Sequence, residues 1–150
     1  MSLMYKFQLI KLLYYMKFTQ ERNKMMMNVT KTDENLNLIR QVIENYADGA
    51  DKRDDTKLEK AFHEDFRVIA LTAEGIRHMD KQTYLTLIRD EKIGGVDRTL
   101  EIEWITSKND TARAEIRLKS PMVTFFDDLS FIKNQTGWQI VNNITQVMPN

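Results

Sequence analysis

The fold is decided near the C-terminus, by the stretch Gly137-Trp138-Gln139-Ile140-Val141-Asn142-Asn143. This stretch follows the strand-like run Phe131-Ile132-Lys133 after the polar turn Asn134-Gln135-Thr136. Aromatic and β-branched residues on both sides of a short turn predict two antiparallel strands. Behind a helical N-terminal half, this hairpin specifies an α+β domain in which helices precede a sheet.

Two further strands are predicted upstream of this hairpin. Leu100, Ile102 and Trp104 alternate with acidic residues, and apolar residues alternate with charged ones from residue 112 to 119. A longer strand then runs from Val123 to Lys133, where the adjacent Phe125 and Phe126 place one aromatic ring on each face. An outward aromatic patch needs cover in a small domain, so we expect a homodimer through the outer face of the sheet.

The N-terminal half carries the pattern of three helices. The first is predicted from Asp33 to Ala50, capped by Thr32 and Asp33, because apolar residues recur with helical spacing. A short second helix has a capping-box spacing at Thr56 and Glu59, and Asp80 caps the third. The buried stripe of the first helix comprises Ile39, Val42, Ile43, Tyr46, Ala47 and Ala50.

Composition excludes several classes of site. The 150 residues suffice for one domain, and the absence of cysteine removes disulfides and thiolate chemistry. With 22 basic and 22 acidic residues, no overall charge attracts nucleic acid. Two histidines and no phosphate-binding glycine loop lead us to expect no metal and no cofactor. We expect a cytoplasmic protein, since cysteine-free composition fits a reducing compartment.

Residues 1–28 differ from the single domain predicted over residues 29–150. They are apolar and basic, without an acidic residue before Glu21. Three interpretations stay open: a leader that would make the protein exported, an extra helix, or sequence upstream of a natural start near Met25. The apolar runs are too short for stable membrane insertion.

The order helix, short helix, hairpin, helix and four long strands resembles the nuclear-transport-factor-2-like (NTF2-like) superfamily. Within it, the chain is similar to the putative lumazine-binding branch. The resemblance implies a cone-shaped, cystatin-like barrel with three helices packed on a curved, mostly antiparallel sheet. Related families include ketosteroid isomerases, SnoaL-like polyketide cyclases and dehydratases, which work in a pocket between the sheet and the first helix. The similar stretches are residues 42–49, 61–65, 127–133 and 138–142.

The resemblance also implies roles for individual residues. Tyr46 lies where ketosteroid isomerases place a tyrosine that donates a hydrogen bond to an oxyanion, although the helical stripe alone would make it a core residue. Ala70 lies near the position of their catalytic aspartate. Because alanine cannot transfer a proton, we do not expect steroid isomerisation by that mechanism.

Three side chains are candidate acids or bases. Asp127 and Asp128 are adjacent in a strand, so only one faces the pocket, and the sequence leaves open which. A carboxylate among apolar residues would have a raised pKa and could move a proton. His78 shares a face with Ile76 and could point into the pocket or lie at a wet edge.

The predicted ligand-binding residues are Tyr46, Trp104, Asn142 and Phe126. Each of these residues could instead be an ordinary core residue without a ligand. Of Asn142 and its neighbour Asn143, only one faces inward. Three functions follow: binding of a flat, mostly apolar small molecule; a lyase, isomerase or cyclase; or a dimeric interaction module.

Overall fold

The computed structural model describes residues 2–150, which form three helices and six strands. In chain order, the elements are α1 (Leu3–Asp51), α2 (Asp55–Ala61), β1 (Phe62–Thr72), β2 (Gly75–Asp80), α3 (Lys81–Arg89), β3 (Thr99–Lys108), β4 (Thr111–Lys119), β5 (Val123–Asn134) and β6 (Gly137–Pro149). The chain divides into two units, one ending at Asn35 and the other running from Leu36 to Asn150.

The strands form one sheet in the order β2-β1-β6-β5-β4-β3. Neighbouring strands are antiparallel, apart from the parallel pair β1 and β6. The predicted α+β fold with a mostly antiparallel sheet is confirmed. The sheet does not close into a barrel, however, because its two edge strands, β2 and β3, do not pair with each other.

The helices differ from the prediction at their N-termini. The first helix begins at Leu3 and not at Asp33. Thr32 therefore lies inside it, and its hydroxyl donates back to the carbonyl of Asn28, as threonines do inside a helix. The second helix is capped by Asp54, whose carboxylate accepts from the amide of Lys57, and not by Thr56. The predicted cap of α3 is confirmed, since Asp80 accepts from the amide of Thr83.

The unit ending at Asn35 is helical and exposes its large apolar side chains, among them Phe7, Leu12 and Phe18. Within residues 2–150, none of the helices has the length and hydropathy that a membrane crossing requires. Residues 36–150, by contrast, form a buried hydrophobic core. There the rings of Phe62 and Phe66 stack with centroids 3.8 Å apart, and Tyr84 meets both edge-on.

Two β-bulges change which residues face the core. One interrupts the pairing of β3 with β4 between Ile102 and Trp104. The other interrupts the pairing of β5 with β6, where Ile140 and Asn142 pair with the consecutive β5 residues Phe131 and Ser130. A bulge inserts one residue into one strand, so the alternation of faces shifts by one beyond it. We call the face that packs on the helices the inner face and the opposite one the outer face.

Candidate functional site

The inner face encloses a cavity of about 520 Å³. Its walls come from the C-terminal part of α1, from α3, from the loops before β3 and between β4 and β5, and from inner residues of β1, β2, β5 and β6. Most of the lining is apolar, and examples are Val68, Ala70, Met79, Ile93, Phe125 and Val147. A cavity of this volume and composition matches the sites that bind small molecules.

A buried hydrogen-bond network lies at one end of this cavity. The Tyr46 hydroxyl donates to Asp127 Oδ2 at 2.9 Å. The side-chain amide of Asn143 donates to the same carboxylate oxygen at 3.2 Å and to the Tyr46 hydroxyl at 3.3 Å. Tyr46 and Asn143 line the cavity, whereas Asp127 lies behind them. The one hydroxyl proton of Tyr46 is therefore engaged by Asp127.

Asp127 is an unusual carboxylate because it is only 3% exposed. Burial raises its pKa from 3.8, although hydrogen bonds from Tyr46 and Asn143 and the charge of Arg98 favour the ionised form. Thr145, directly opposite on β6, lies beside the carboxylate without a hydrogen bond of good geometry. The pKa of Tyr46 is raised by burial and by the neighbouring Asp127 charge. Both groups are thus biased towards their protonated forms.

Arg98 brings a positive charge to the same cavity. Its Nε donates to Asp51 Oδ1 at 2.6 Å, and its backbone amide donates to Asp51 Oδ2 at 3.0 Å. The guanidinium also lies over the Phe125 ring, 5.0 Å from its centre. Its Nη2 is buried and has no hydrogen-bond partner among residues 2–150. Arg98 therefore combines a neutralised charge with a free donor.

The loop carrying Arg98 is held against the end of α1. The amide of Gly95 donates to the carbonyl of Ala50, and Arg53 donates to the carbonyl of Ile93. Gly94 has φ +70°, and a Cβ there would come within 2.4 Å of the Ala50 carbonyl oxygen. Glycine is needed at this position because the loop approaches the helix so closely.

Of the predicted residues, Tyr46 and Asp127 come together in the network. Asp128 points to the outer face, where its carboxylate accepts from Arg113 at 2.9 Å. His78 is also on the outer face, exposed and opposite Ile69, because its neighbour Met79 takes the inward position. Neither Asp128 nor His78 reaches the cavity.

The three remaining predictions fail on orientation. Phe126 lies on the outer face beside Arg117, whose guanidinium is 5.8 Å from the ring centre. Trp104 pairs with Glu115 on that face because the bulge shifts the alternation of β3. The bulge in β6 likewise turns Asn143 inward where the prediction had Asn142.

Sequence reasoning missed Arg98, although a signal for it existed. Arg98 precedes Leu100 and Ile102 by two and four residues, so the alternation of β3, extended backwards, places it on the inner face. The sequence left open which of Asn142 and Asn143 faces inward, and Thr145 was missed because nothing in the sequence, such as a glycine, marks the bulge.

A second group of polar residues does not line the cavity. The ligand atoms of His63, Glu64 and Asp65 lie within 4.8 Å of one another near the start of β1. The Nδ1 atom of His63, however, accepts a hydrogen bond from the amide of Asp65 at 3.0 Å. Since an exposed acidic cluster is common without an ion, we assign no metal to it.

The comparisons with known proteins agree with this architecture. A family model described as "Putative lumazine-binding" matches residues 34–144. Comparison with curated proteins gave no match. An NTF2-like protein of unknown function from Silicibacter pomeroyi superposes with a TM-score of 0.70 at 16% identity, over 78% of this chain and 98% of that one.

Two other solved structures are similar. An NTF2-like protein of unknown function from Shewanella baltica has a TM-score of 0.69 at 20% identity, over 78% of this chain and 96% of its own. One from Methylobacillus flagellatus has a TM-score of 0.66 at 16% identity, over 77% and 93%. At these identities the structures establish the fold alone. With the family match and this fold together, the chain belongs to the family described as putative lumazine-binding, within the NTF2-like proteins.

Proposed function

We propose that the domain binds a small, flat and mostly apolar molecule in the inner-face cavity. The observation that carries this proposal is the cavity itself: about 520 Å³ of mostly apolar lining that ends on the polar side chains of Tyr46, Asn143 and Arg98. Apolar walls supply affinity through burial, and a few polar groups fix the orientation of a ligand. The rings of Tyr84 and Phe125 in the wall favour a flat partner.

A thermal-shift screen with flat aromatic and polyketide-like compounds tests this proposal. At least one compound should raise the melting temperature of the protein, because it binds only the folded state. Ala70→Phe, which fills the cavity, should remove that shift. The matched control Ala73→Phe makes the same substitution in the exposed turn after β1 and should keep it. No shift with any compound, or a shift that survives Ala70→Phe, would contradict the proposal.

A lyase, isomerase or cyclase is the second candidate, favoured by the raised pKa of Asp127. Two features of the network weigh against it. Asp127 lies behind Tyr46 and Asn143, and Tyr46 donates its proton to Asp127 and so has none for a substrate oxyanion. Proton transfer would appear as deuterium incorporation, from heavy water, into a compound that the screen identifies. Asp127→Asn should abolish the incorporation if this candidate is right.

We further propose that two copies associate through the outer face. Apolar side chains there are exposed, and examples are Ile76 at 63%, Ile144 at 45% and Phe126 at 39%. They lie next to a border of opposite charges, in which Arg113 pairs with Asp128 and Arg117 with Glu103. A surface with both charges around an apolar centre can complement a second copy of itself.

Residues 1–28 are proposed to be an extension that the cavity does not need. The family match begins at residue 34, and every residue that lines the cavity lies between 46 and 147. A chain shortened to begin at Met27 should keep the melting temperature within about 2 °C and should bind the same compounds. Loss of binding in the shortened chain would contradict this proposal.

A further inference from the structure

Polar atoms at the end of the cavity have unused hydrogen-bonding capacity. Among residues 2–150, four buried side-chain atoms have no partner: Arg98 Nη2, Asp127 Oδ1, Asn143 Oδ1 and Thr145 Oγ1. Three of these four residues line the cavity, and Asp127 is bonded to one of them. An unsatisfied buried polar atom is destabilising, so such a cluster is expected where a bound molecule supplies the missing partners.

The network fixes which of these atoms donate and which accept. Asn143 Nδ2 must face Asp127 and Tyr46, since the carboxylate accepts and the Tyr46 proton is already given to it. The carbonyl oxygen Oδ1 of Asn143 is then the free group. Arg98 Nη2 can only donate. Thr145 Oγ1 lies beside the Asp127 carboxylate, so apart from it the end of the cavity offers one strong donor and one amide acceptor.

The balance of charge limits what binds there. Asp51 already uses both carboxylate oxygens on Arg98, and the two side chains are only 10% and 11% exposed. Asp127 is close enough for Arg98 to lower its pKa, so a second acid shares this region. An anionic ligand would add an unneutralised negative charge to a buried environment, and a cationic one would face the guanidinium. An uncharged ligand avoids both penalties.

We propose, building on the binding function above, that the ligand is uncharged and carries a carbonyl oxygen next to an N–H or O–H group at one edge of an apolar ring. The carbonyl oxygen accepts from Arg98 Nη2, and the N–H or O–H group donates to Asn143 Oδ1. Ring amides and hydroxy-ketones share this edge. The rest of the molecule contacts the apolar walls.

Four bicyclic probes of nearly equal size separate the alternatives. 2-Quinolinone has the acceptor and the donor, and N-methyl-2-quinolinone keeps only the acceptor. 2-Naphthoate presents a carboxylate, and naphthalene has no polar group. Titrations followed by NMR should give 2-quinolinone the highest affinity, with its N-methyl derivative about tenfold weaker and naphthalene weaker still.

Two variants assign the recognition to the named atoms. Arg98→Lys keeps a positive charge for Asp51 but removes Nη2, and Asn143→Leu removes the acceptor. Each should reduce the affinity for 2-quinolinone about tenfold, as N-methylation of the ligand does, because each removes one of its two hydrogen bonds. Naphthalene binding itself should persist, which shows that the cavity is intact in each variant.

Each outcome has a clear meaning. Tightest binding by 2-naphthoate, or equal affinities for all four probes, would overturn the inference and leave the cavity function standing. The same holds if no probe binds while the thermal-shift screen yields a ligand. If neither the probes nor the screen yields a ligand, the binding function itself fails.

Discussion

Two neighbouring aspartates in β5 have opposite surroundings. Asp127 is on the inner face, 3% exposed and bonded to Tyr46 and Asn143, whereas Asp128 is on the outer face and pairs with Arg113. The residue type and the strand are the same. The difference therefore comes from the pleat, which turns adjacent side chains to opposite faces. One carboxylate lies behind the cavity wall, and the other belongs to a charged border in solvent.

The two aspartates should differ most in how much each contributes to the free energy of unfolding. Asp127→Ala leaves the Tyr46 hydroxyl and the Asn143 amide buried without their acceptor, so we expect the free energy of unfolding to fall by about 3 kcal/mol. Asp128→Ala removes a half-exposed ion pair and should cost at most about 1 kcal/mol. Urea denaturation of both variants measures the difference. Equal losses would mean that the two faces are not distinguished as described.

The outer face can be tested by association. Phe126→Glu places a charge among the exposed apolar side chains, and the nearby Arg117 can pair with it, so the fold should persist. We expect dimer dissociation to become about a hundredfold easier, measured by analytical ultracentrifugation. Gln135→Glu adds the same charge in the β5–β6 turn and serves as the control. A wild-type monomer at micromolar concentration would refute the dimer.

The raised pKa of Asp127 predicts a pH dependence. Between its ordinary value of 3.8 and its folded value, the unfolded chain has lost this proton while the folded chain keeps it. Stability from this group is therefore greatest below pH 3.8 and falls as the pH rises to the folded pKa, above which it is constant. Asp127→Asn, which is neutral at every pH, should lack this fall.

The measurement compares the free energies of unfolding of the wild type and Asp127→Asn over a range of pH. Asp48, Asp55 and Asp80 have lowered pKa values and act in the opposite direction, but they are present in both proteins and cancel. A difference that stays constant with pH, or that grows in favour of the wild type as the pH rises, would show that folding does not raise the pKa of Asp127.

The smallest expected effect concerns the two tryptophans. Trp138 is 5% exposed on the inner face, whereas the bulge turns Trp104 outward. Trp138→Phe should lower the free energy of unfolding by about 1–2 kcal/mol, and Trp104→Phe by less than about 1 kcal/mol. In the single-tryptophan proteins, acrylamide should quench Trp104 more readily than Trp138. Equal quenching would place both rings in the core and contradict the bulge.

Much of the fold could be predicted from local patterns. The stripe from Ile39 to Ala50, the Asp80 cap and the β5–β6 hairpin follow from spacing and turn chemistry, and the structure contains each of them. Tyr46 belongs to that stripe, but its place in the candidate site came from the family resemblance. The candidate site was predicted less well, because six of its seven proposed residues lie on strands, where the face decides whether a side chain reaches the cavity. For Asp127 and Asp128, the sequence could state only that one faces inward.

The sequence alone determined the element order, the α+β class and the hydrophobic alternation, since these depend on residues close together in the chain. The tertiary structure decided the cavity residues. A bulge becomes visible only in the pairing with a neighbouring strand, yet it exchanged Asn142 for Asn143 and turned Trp104 outward. The bond between Arg98 and Asp51 joins residues 47 positions apart, and only the packed sheet and helix bring them together.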